Sequence, residues 1–355
     1  MSGRVLRSDY MHWAKTRQPV TYALSSSEVA HFPLDRLGIT IADLELTGAS
    51  HYRYRPLREA IGAKEGVPAD WVVAADGTSM ANMLAMAALV APGDEVLVEH
   101  PAYEPLLAVA RFLGARVTRF PRRAEAGFAL DPDAVRRAVT PATKLIVLTD
   151  LHNPSGAPAG EAALREIGGL GPLVLVDEVY RDAAAAPQRS AVHLGGNFLA
   201  TNSLTKVYGL SGLRCGWILA APARAERIWR LNELFGVSQA HANERLSCIA
   251  LANLDRISEG TQALLARNRA LAHAFFASRP ELECAMLAGG ITFFPRLLRG
   301  DPEALDALLR TKYDTSTVPG RWFEAMDHFR VGLGGPTSVV DEGLARLGRA
   351  LDDLR

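Results

Sequence analysis

The sequence predicts an α/β protein: a large domain with a mostly parallel sheet covered by helices, plus a smaller α+β domain. Three observations predict it. Between residues 70 and 220, short apolar runs alternate with helix-like stretches, and several runs are rich in Val or Ile, as strands buried on both faces are. The intervals leave room for the crossover helix of a βαβ unit. Beyond about residue 220 the pattern changes to long helical stretches with a few short strands.

The elements follow in chain order. The segment before about residue 45 has weak periodicity and is expected to pack against the second domain. The first strand is read at 71–75, followed by a buried helix at 80–90, the most apolar stretch of the chain. Ala91-Pro92-Gly93-Asp94 stops it far short of the roughly 20 residues that a membrane span needs. Further strands are read at 96–98, 145–148, 173–176 and 198–200. Residues 221–254 and 260–278 are helix-rich. Two strands at 282–287 and 289–298 are joined through Gly289-Gly290, and another lies at 329–333. Pro336 and Thr337 open a final amphipathic helix with Val340, Leu344, Leu347, Leu351 and Leu354 on one stripe. This reading puts the large domain at 45–221, and the small domain with the N-terminal segment at 222–355 and 1–44.

Composition excludes several classes. The 355 residues carry 39 Lys and Arg against 39 Asp and Glu, so no charge excess favours nucleic acid or an anionic membrane. Cys215, Cys248 and Cys284 are too few and too widely spaced for a disulfide scaffold, and no CxxC pair suggests a metal site. The N-terminal residues lack the apolar stretch of a secretion signal. A cytoplasmic protein is expected.

In open α/β sheets, ligands bind beyond the carboxyl ends of the strands. The residues there are Asp76-Gly77-Thr78-Ser79, Glu99-His100-Pro101-Ala102-Tyr103, His152-Asn153-Pro154-Ser155-Gly156, Asp177-Glu178-Val179-Tyr180 and Ser203-Leu204-Thr205-Lys206. Singly, each has an ordinary reading: a helix cap, a core aromatic, a turn, a surface lysine. Asp177 is less ordinary, because a carboxylate ending an apolar run is costly to bury without a partner. Together they meet one chemical need. A lysine forms a Schiff base with an aldehyde cofactor, a carboxylate keeps the pyridine nitrogen protonated, an aromatic ring stacks on it, and a helix N-terminus takes its phosphate. That cofactor is pyridoxal 5′-phosphate.

From about residue 45 to the end, the sequence resembles the class I/II aminotransferases, fold-type I pyridoxal-phosphate enzymes. The motifs above occur in that family's order. Gly209-Leu210-Ser211-Gly212-Leu213-Arg214-Cys215-Gly216-Trp217, Gly289-Gly290-Ile291-Thr292-Phe293-Phe294 and Phe329-Arg330-Val331-Gly332 extend the match. The resemblance implies an aspartate aminotransferase-like fold and a set of roles. Lys206 is the Schiff-base lysine and proton shuttle. Asp177 pairs with the pyridine nitrogen, Tyr180 and Asn153 with the phenolic oxygen, and Tyr103 stacks on the ring. Thr78, Ser203 and Arg214, with the backbone of Gly77, Thr78 and Ser79, bind phosphate. Arg330 takes the substrate carboxylate as a bidentate pair, and Asn153 is counted with it among the substrate-binding residues. It further implies a homodimer, with Tyr52 reaching the partner's phosphate from a shortened segment in which Arg53 replaces a common glycine.

The expected reaction is amino transfer from an L-α-amino acid to a 2-oxo acid by a ping-pong mechanism. The alternative is a lyase, decarboxylase or cyclase on the same scaffold. The Ser203-x-x-Lys206 spacing also fits a serine hydrolase, but the Ser-Asp-Asn and Lys-Thr-Gly partners are missing. A DNA-binding sensor would need more chain before residue 45 and a basic excess. Residues 24–29 lack the family's usual Gly-x-Pro or Asn-Glu-Asn-Pro pattern, and Met80 stands where a polar residue is common. Arg53, Arg55 and Trp13 could approach the site, and no residue reads as a side-chain selector.

Overall fold

The structure is a computed structural model and describes residues 5–354. Seven strands form the central sheet. From edge to edge they are Val72–Asp76, Cys215–Leu219, Phe198–Ser203, Leu173–Asp177, Thr143–Thr149, Glu95–His100 and Arg116–Pro121. Six run parallel; Cys215–Leu219 is antiparallel to both neighbours. The expected α/β architecture is present. Two strands escape a search for apolar runs. Arg116–Pro121 lies at an edge and buries only Phe120, and Cys215–Leu219 is short and follows directly on the lysine loop.

Helices cover both faces. Gly77–Leu89 packs on one face as the buried helix expected there, along with Arg55–Glu65 and Pro222–Asn232, in a core that includes Ile61, Leu84, Trp217 and Ile228. The opposite face is closed by Pro132–Ala138 and Glu161–Gly168 around Phe120, Ile146 and Phe198. Leu97, Ile146 and Val174 turn to this opposite face, while Val96, Val98, Leu145, Val147 and Leu175 turn to the face covered by Gly77–Leu89. That alternation of burial on both faces is why these strands are apolar at every position.

A second core gathers Thr261–Ala277, Pro302–Lys312 and Thr337–Asp353 around Leu24, Phe293, Phe329 and Val331. Its strands are shorter than the sequence suggests. Leu282–Glu283 pairs with Arg296–Leu297, and Thr292–Phe293 pairs with Phe329–Gly332. Gly289-Gly290 and Pro295 break the apolar run between them. Leu24 from the N-terminal segment is fully buried in this core, and the Gly332 N–H donates to the Leu24 carbonyl at 2.6 Å. The N-terminal segment is thereby tied to the strand that carries Arg330.

Candidate active site

A cavity of about 480 Å³ opens at the carboxyl ends of the parallel strands. Thr78, Ser79, Tyr103, Asn153, Asp177, Tyr180, Lys206, Arg214 and Arg330 all line it. Gly77 and Ser203 touch these residues from behind. Tyr52 lies outside it, half exposed, and donates to Glu233. Arg53, next to Tyr52, has φ +54°, the left-handed region that glycine favours, and forms an ion pair with Glu226 at 2.6 Å.

Asp177 forms the floor. It ends its strand fully buried, with Asn82 Nδ2 donating to Oδ2 at 2.7 Å and the Val179 N–H donating to Oδ1 at 3.1 Å. Thr201 Oγ1 donates to Asn82 Oδ1 at 2.7 Å and so fixes the amide. Burial pushes the Asp177 carboxyl up from 3.8 to about 6, against the pull of the Asn82 amide, the Val179 N–H and the Lys206 charge. Both hydrogen bonds come from neutral donors. A carboxylate so placed suits a cationic N–H, which a protonated pyridine nitrogen provides.

One end of the cavity has the donors of a phosphate cup. The 13-residue helix Gly77–Leu89 starts there, directing free N–H groups outward. Gly77 has φ +77°, and a Cβ on it would come within 2.6 Å of Arg214 Nη2, so only glycine leaves the helix start and the guanidinium in register. Thr78 Oγ1 donates to Ser203 Oγ at 2.7 Å, and Ser203 Oγ lies 2.7 Å from Thr205 Oγ1. Arg214 Nη2 is held by the Asp76 carbonyl at 3.0 Å, while the residue stays exposed. Three hydroxyls, a helix start and a cation fit the dianionic end of pyridoxal phosphate.

Arg330 forms the other end. It is 1% exposed. Its Nη1 donates to Asn153 Oδ1 at 2.9 Å, and its Nη2 to Tyr10 Oη and the Ser25 carbonyl, each at 3.2 Å. Its Nε has no hydrogen-bond partner among the described residues. Burial opposes its charge, but Tyr10 and Tyr180 hold its pKa above the ordinary arginine range. Tyr103 stands edge-on to Tyr10, and burial pushes its phenol well above the usual tyrosine range, so it is neutral. Between the two ends, Lys206 Nζ lies 3.5 Å from Glu28 Oε2.

A buried network holds the Asn153 loop. Glu99, pushed up by burial against the pull of Arg122, accepts from Arg122 Nη1 at 3.0 Å, the Thr149 N–H at 2.8 Å and Thr149 Oγ1 at 2.6 Å. Thr149 Oγ1 in turn accepts from the Asn153 N–H at 2.9 Å. His152 is buried and neutral because desolvation drives its pKa well below 6.5. Its Nε2 contacts the Pro101 carbonyl at 3.0 Å and its Nδ1 the Ser155 hydroxyl at 2.7 Å. These contacts tie two of the sequence motifs to each other.

Motif reading misses Asn82, Thr149, Thr205, Tyr10, Ser25 and Glu28. Two had a signal: Asn82 lies one helical turn after Thr78, and Thr205 directly precedes Lys206. Ser25 and Glu28 had only the position of residues 24–29, where the family resemblance puts a loop over the substrate, and Tyr10 had no signal, since the segment carries only weak periodicity.

Comparison with known proteins adds four findings. A family model described as aminotransferase class I and II matches residues 45–347. The chain is 33% identical to capreomycidine synthase of Streptomyces vinaceus, covering 83% of this chain and 78% of that one. It is 31% identical to histidinol-phosphate aminotransferase of Symbiobacterium thermophilum, covering 79% and 77%. In structure it is similar to a pyridoxal-phosphate-dependent aminotransferase from Streptococcus suis, with a TM-score of 0.92 over 99% of both chains at 23% identity.

Proposed function

We propose, from the premise that this chain belongs to the class I and II aminotransferase family, that it moves the amino group of an L-α-amino acid to a 2-oxo acid by a ping-pong mechanism. The enzyme is a pyridoxal-phosphate-dependent transferase. The observation that carries the proposal is that Lys206, Asp177 and Arg330 all line one cavity. An amine, a buried acid and a buried guanidinium are what holding an amino acid beside that cofactor demands.

When bound, the cofactor supplies an aldehyde that takes up an amine and a ring that accepts the electrons released at the substrate Cα. The chain supplies the rest. Lys206 is the attachment point, and once displaced its Nζ removes the Cα proton and holds it for return. Asp177 keeps a proton on the ring nitrogen. Asn153 and Tyr180 hydrogen-bond the phenolic oxygen, and Tyr103 covers a face of the ring. Gly77, Thr78, Ser79, Ser203 and Arg214 hold the phosphate, and Thr205 joins their hydroxyl chain. Arg330 grips the α-carboxylate with the guanidinium hydrogens not taken by Asn153, Tyr10 and Ser25.

The subunit works as a homodimer. Ile41, Leu46, Leu234, Phe235 and Val237 are exposed apolar side chains, and the two segments that carry them are bridged by the Tyr52–Glu233 hydrogen bond and the Arg245–Asp43 contact. We propose that Tyr52, half exposed on this flank, reaches the phosphate cup of a partner subunit. No helix among the described residues is long and apolar enough to cross a membrane. The three cysteines are free thiols, which supports a reducing compartment such as the cytoplasm.

The similarity to capreomycidine synthase favours a second reading, a pyridoxal-phosphate-dependent cyclase. Both begin by freeing the Cα proton to Lys206 and diverge afterwards. The test is an absorbance spectrum before and after a mixed set of amino acids, with borohydride trapping and product analysis. A visible band trapped on Lys206, converted to pyridoxamine phosphate with release of a 2-oxo acid, is expected. A cyclic amino acid with no 2-oxo acid would support the cyclase. A protein that cannot be loaded with pyridoxal phosphate would overturn both.

A further inference from the structure

The charged side chains lining the cavity divide cleanly by task. Asp177, Arg214, Arg330 and Lys206 are spoken for by the cofactor, the α-carboxylate and the proton. Three others remain: Lys15, Arg17 and Glu28. Lys15 is exposed at the rim. Arg17 is already engaged: its guanidinium lies 4.1 Å from the Trp13 ring centroid and donates to the Thr317 carbonyl at 3.3 Å. Glu28 differs from both. Its carboxylate faces inward, and its charged partner is the Lys206 ammonium at 3.5 Å.

That partner is temporary. When the substrate arrives Lys206 is attached to the cofactor, and once displaced its Nζ must be a neutral amine to take the Cα proton, so no free ammonium stands before Glu28 while the substrate side chain is being bound. A carboxylate whose side chain is 30% exposed is then left facing the substrate space without its cation. Its backbone is not free to retreat. The Val29 N–H donates to the Lys206 carbonyl at 2.9 Å. On the other side, Gly332 and Gly334 pack so closely that a Cβ on either would meet the Ser26 or Glu28 carbonyl oxygen at 1.6 and 2.1 Å. The residue is pinned between the lysine loop and the strand that carries Arg330. The Lys206 ammonium itself shows that a primary cation fits against it.

We propose that Glu28 is the specificity-determining residue for the substrate side chain, and that the preferred amino acids carry a second cationic group, an ammonium or a guanidinium. This rests on the reading of the chain as a pyridoxal-phosphate-dependent enzyme of amino acids. The α-carboxylate is held at Arg330 and the side-chain cation at Glu28, so a substrate is gripped at both ends, with the reacting carbon between them. A neutral side chain of the same shape leaves Glu28 unpaired, and an acidic one repels it.

The experiment compares matched pairs, arginine with citrulline and ornithine with norvaline, on the cofactor-loaded enzyme and its Glu28→Gln and Glu28→Asp variants. In the wild type, kcat/KM favours the cationic member of a pair by about 10- to 100-fold, the worth of one charge-assisted hydrogen bond. Glu28→Gln erases most of that ratio, and Glu28→Asp restores part of it. A second readout needs no turnover: calorimetric dissociation constants for the same pairs on the cofactor-loaded Lys206→Ala protein show the same preference, which Glu28→Gln in that background removes. Equal binding of both members by the wild type, preference for acidic amino acids, or a ratio that Glu28→Gln leaves intact would overturn the proposal. If no amino acid yields pyridoxamine phosphate, the transaminase reading fails, while calorimetry still decides the role of Glu28.

Discussion

The two ends of the cavity are built in different ways. The cofactor end is made at the tips of strands in one sheet. Gly77, Asp177, Ser203 and Lys206 each lie within three residues of a strand terminus, so the backbone ladder that orders the sheet also orders the site. The substrate end is assembled from distant pieces: Tyr10 from an N-terminal helix, Ser25 and Glu28 from an irregular segment, Asn153 from a strand-end loop and Arg330 from the second core. The Tyr10–Arg330 hydrogen bond spans 320 residues of sequence. The first end places chemistry by local pattern. The second places specificity by tertiary packing, which allows selectivity to change without disturbing the cofactor residues.

The sharpest test of the first end is Lys206→Ala. It removes both attachment and base, and turnover should fall by at least about 10⁴-fold, the upper range for a positioned base. Single-turnover assays with an amino acid measure it. Addition of a small amine such as methylamine should recover a fraction of the proton transfer; full activity without rescue would assign the base elsewhere.

Asp177→Asn separates function from stability. Loss of the fixed negative charge should lower activity by about 10²–10³-fold, as for other preorganised electrostatic groups. Stability of the cofactor-free protein should move the other way. The folded carboxyl sits at about 6 against an ordinary 3.8. Below 3.8 both folded and unfolded forms are protonated, and this favourable state is fully present. As pH rises through about 6 the folded chain must carry a buried charge, and stability is lost, by roughly 3 kcal/mol in total at about 1.4 kcal/mol per pH unit. Cofactor-free Asp177→Asn should therefore unfold at higher denaturant than the wild type at pH 8, with the gap closing near pH 4. A less stable variant at pH 8 would show that the buried carboxylate is already compensated by other means.

At the substrate end, Arg330→Ala should raise KM for amino acids about 100-fold, the scale for truncating one partner of a buried charge pair. It also leaves Asn153 Oδ1 and Tyr10 Oη without their donor. Amino-acid methyl esters should lose far less than free acids; equal losses would mean that Arg330 supports the fold of the pocket rather than the carboxylate.

This contrast also explains what the sequence discloses. The parallel strands could be read because burial on both faces makes them apolar throughout, and the residues just past them then point to one edge. The edge strand Arg116–Pro121 could not, since solvent on its open side admits Arg116, Thr118 and Arg119. Arg330 was accessible only through its motif, for nothing in its spacing says that it meets Asn153. The roles of Tyr10 and Glu28 were hidden, although residues 24–29 stood where the resemblance puts a substrate loop, because a segment of weak periodicity does not say which side chain turns inward. Their positions come from contacts such as Leu24 with the second core and the Val29 N–H with Lys206, which have no local signature.

The smallest expected effect comes from Tyr10→Phe, and it tests whether distant assembly matters. The ring should stay in place. It packs against Trp13, Tyr103, Trp322 and Phe323 at centroid distances of 5.7 to 6.1 Å, and the helix Asp9–Thr16 keeps its Ser8 cap, which accepts the Met11 N–H at 3.1 Å. Only the oxygen that accepts from Arg330 is lost. Arg330 keeps Asn153 and Ser25, so one neutral acceptor is removed from a guanidinium that retains two, worth about 1 kcal/mol. That corresponds to roughly a fivefold rise in KM for free amino acids, with kcat nearly unchanged and little change for esters. A fall in kcat with unchanged KM would place Tyr10 in the transition state instead, and the helix Asp9–Thr16 would then belong to the catalytic apparatus rather than to the substrate grip.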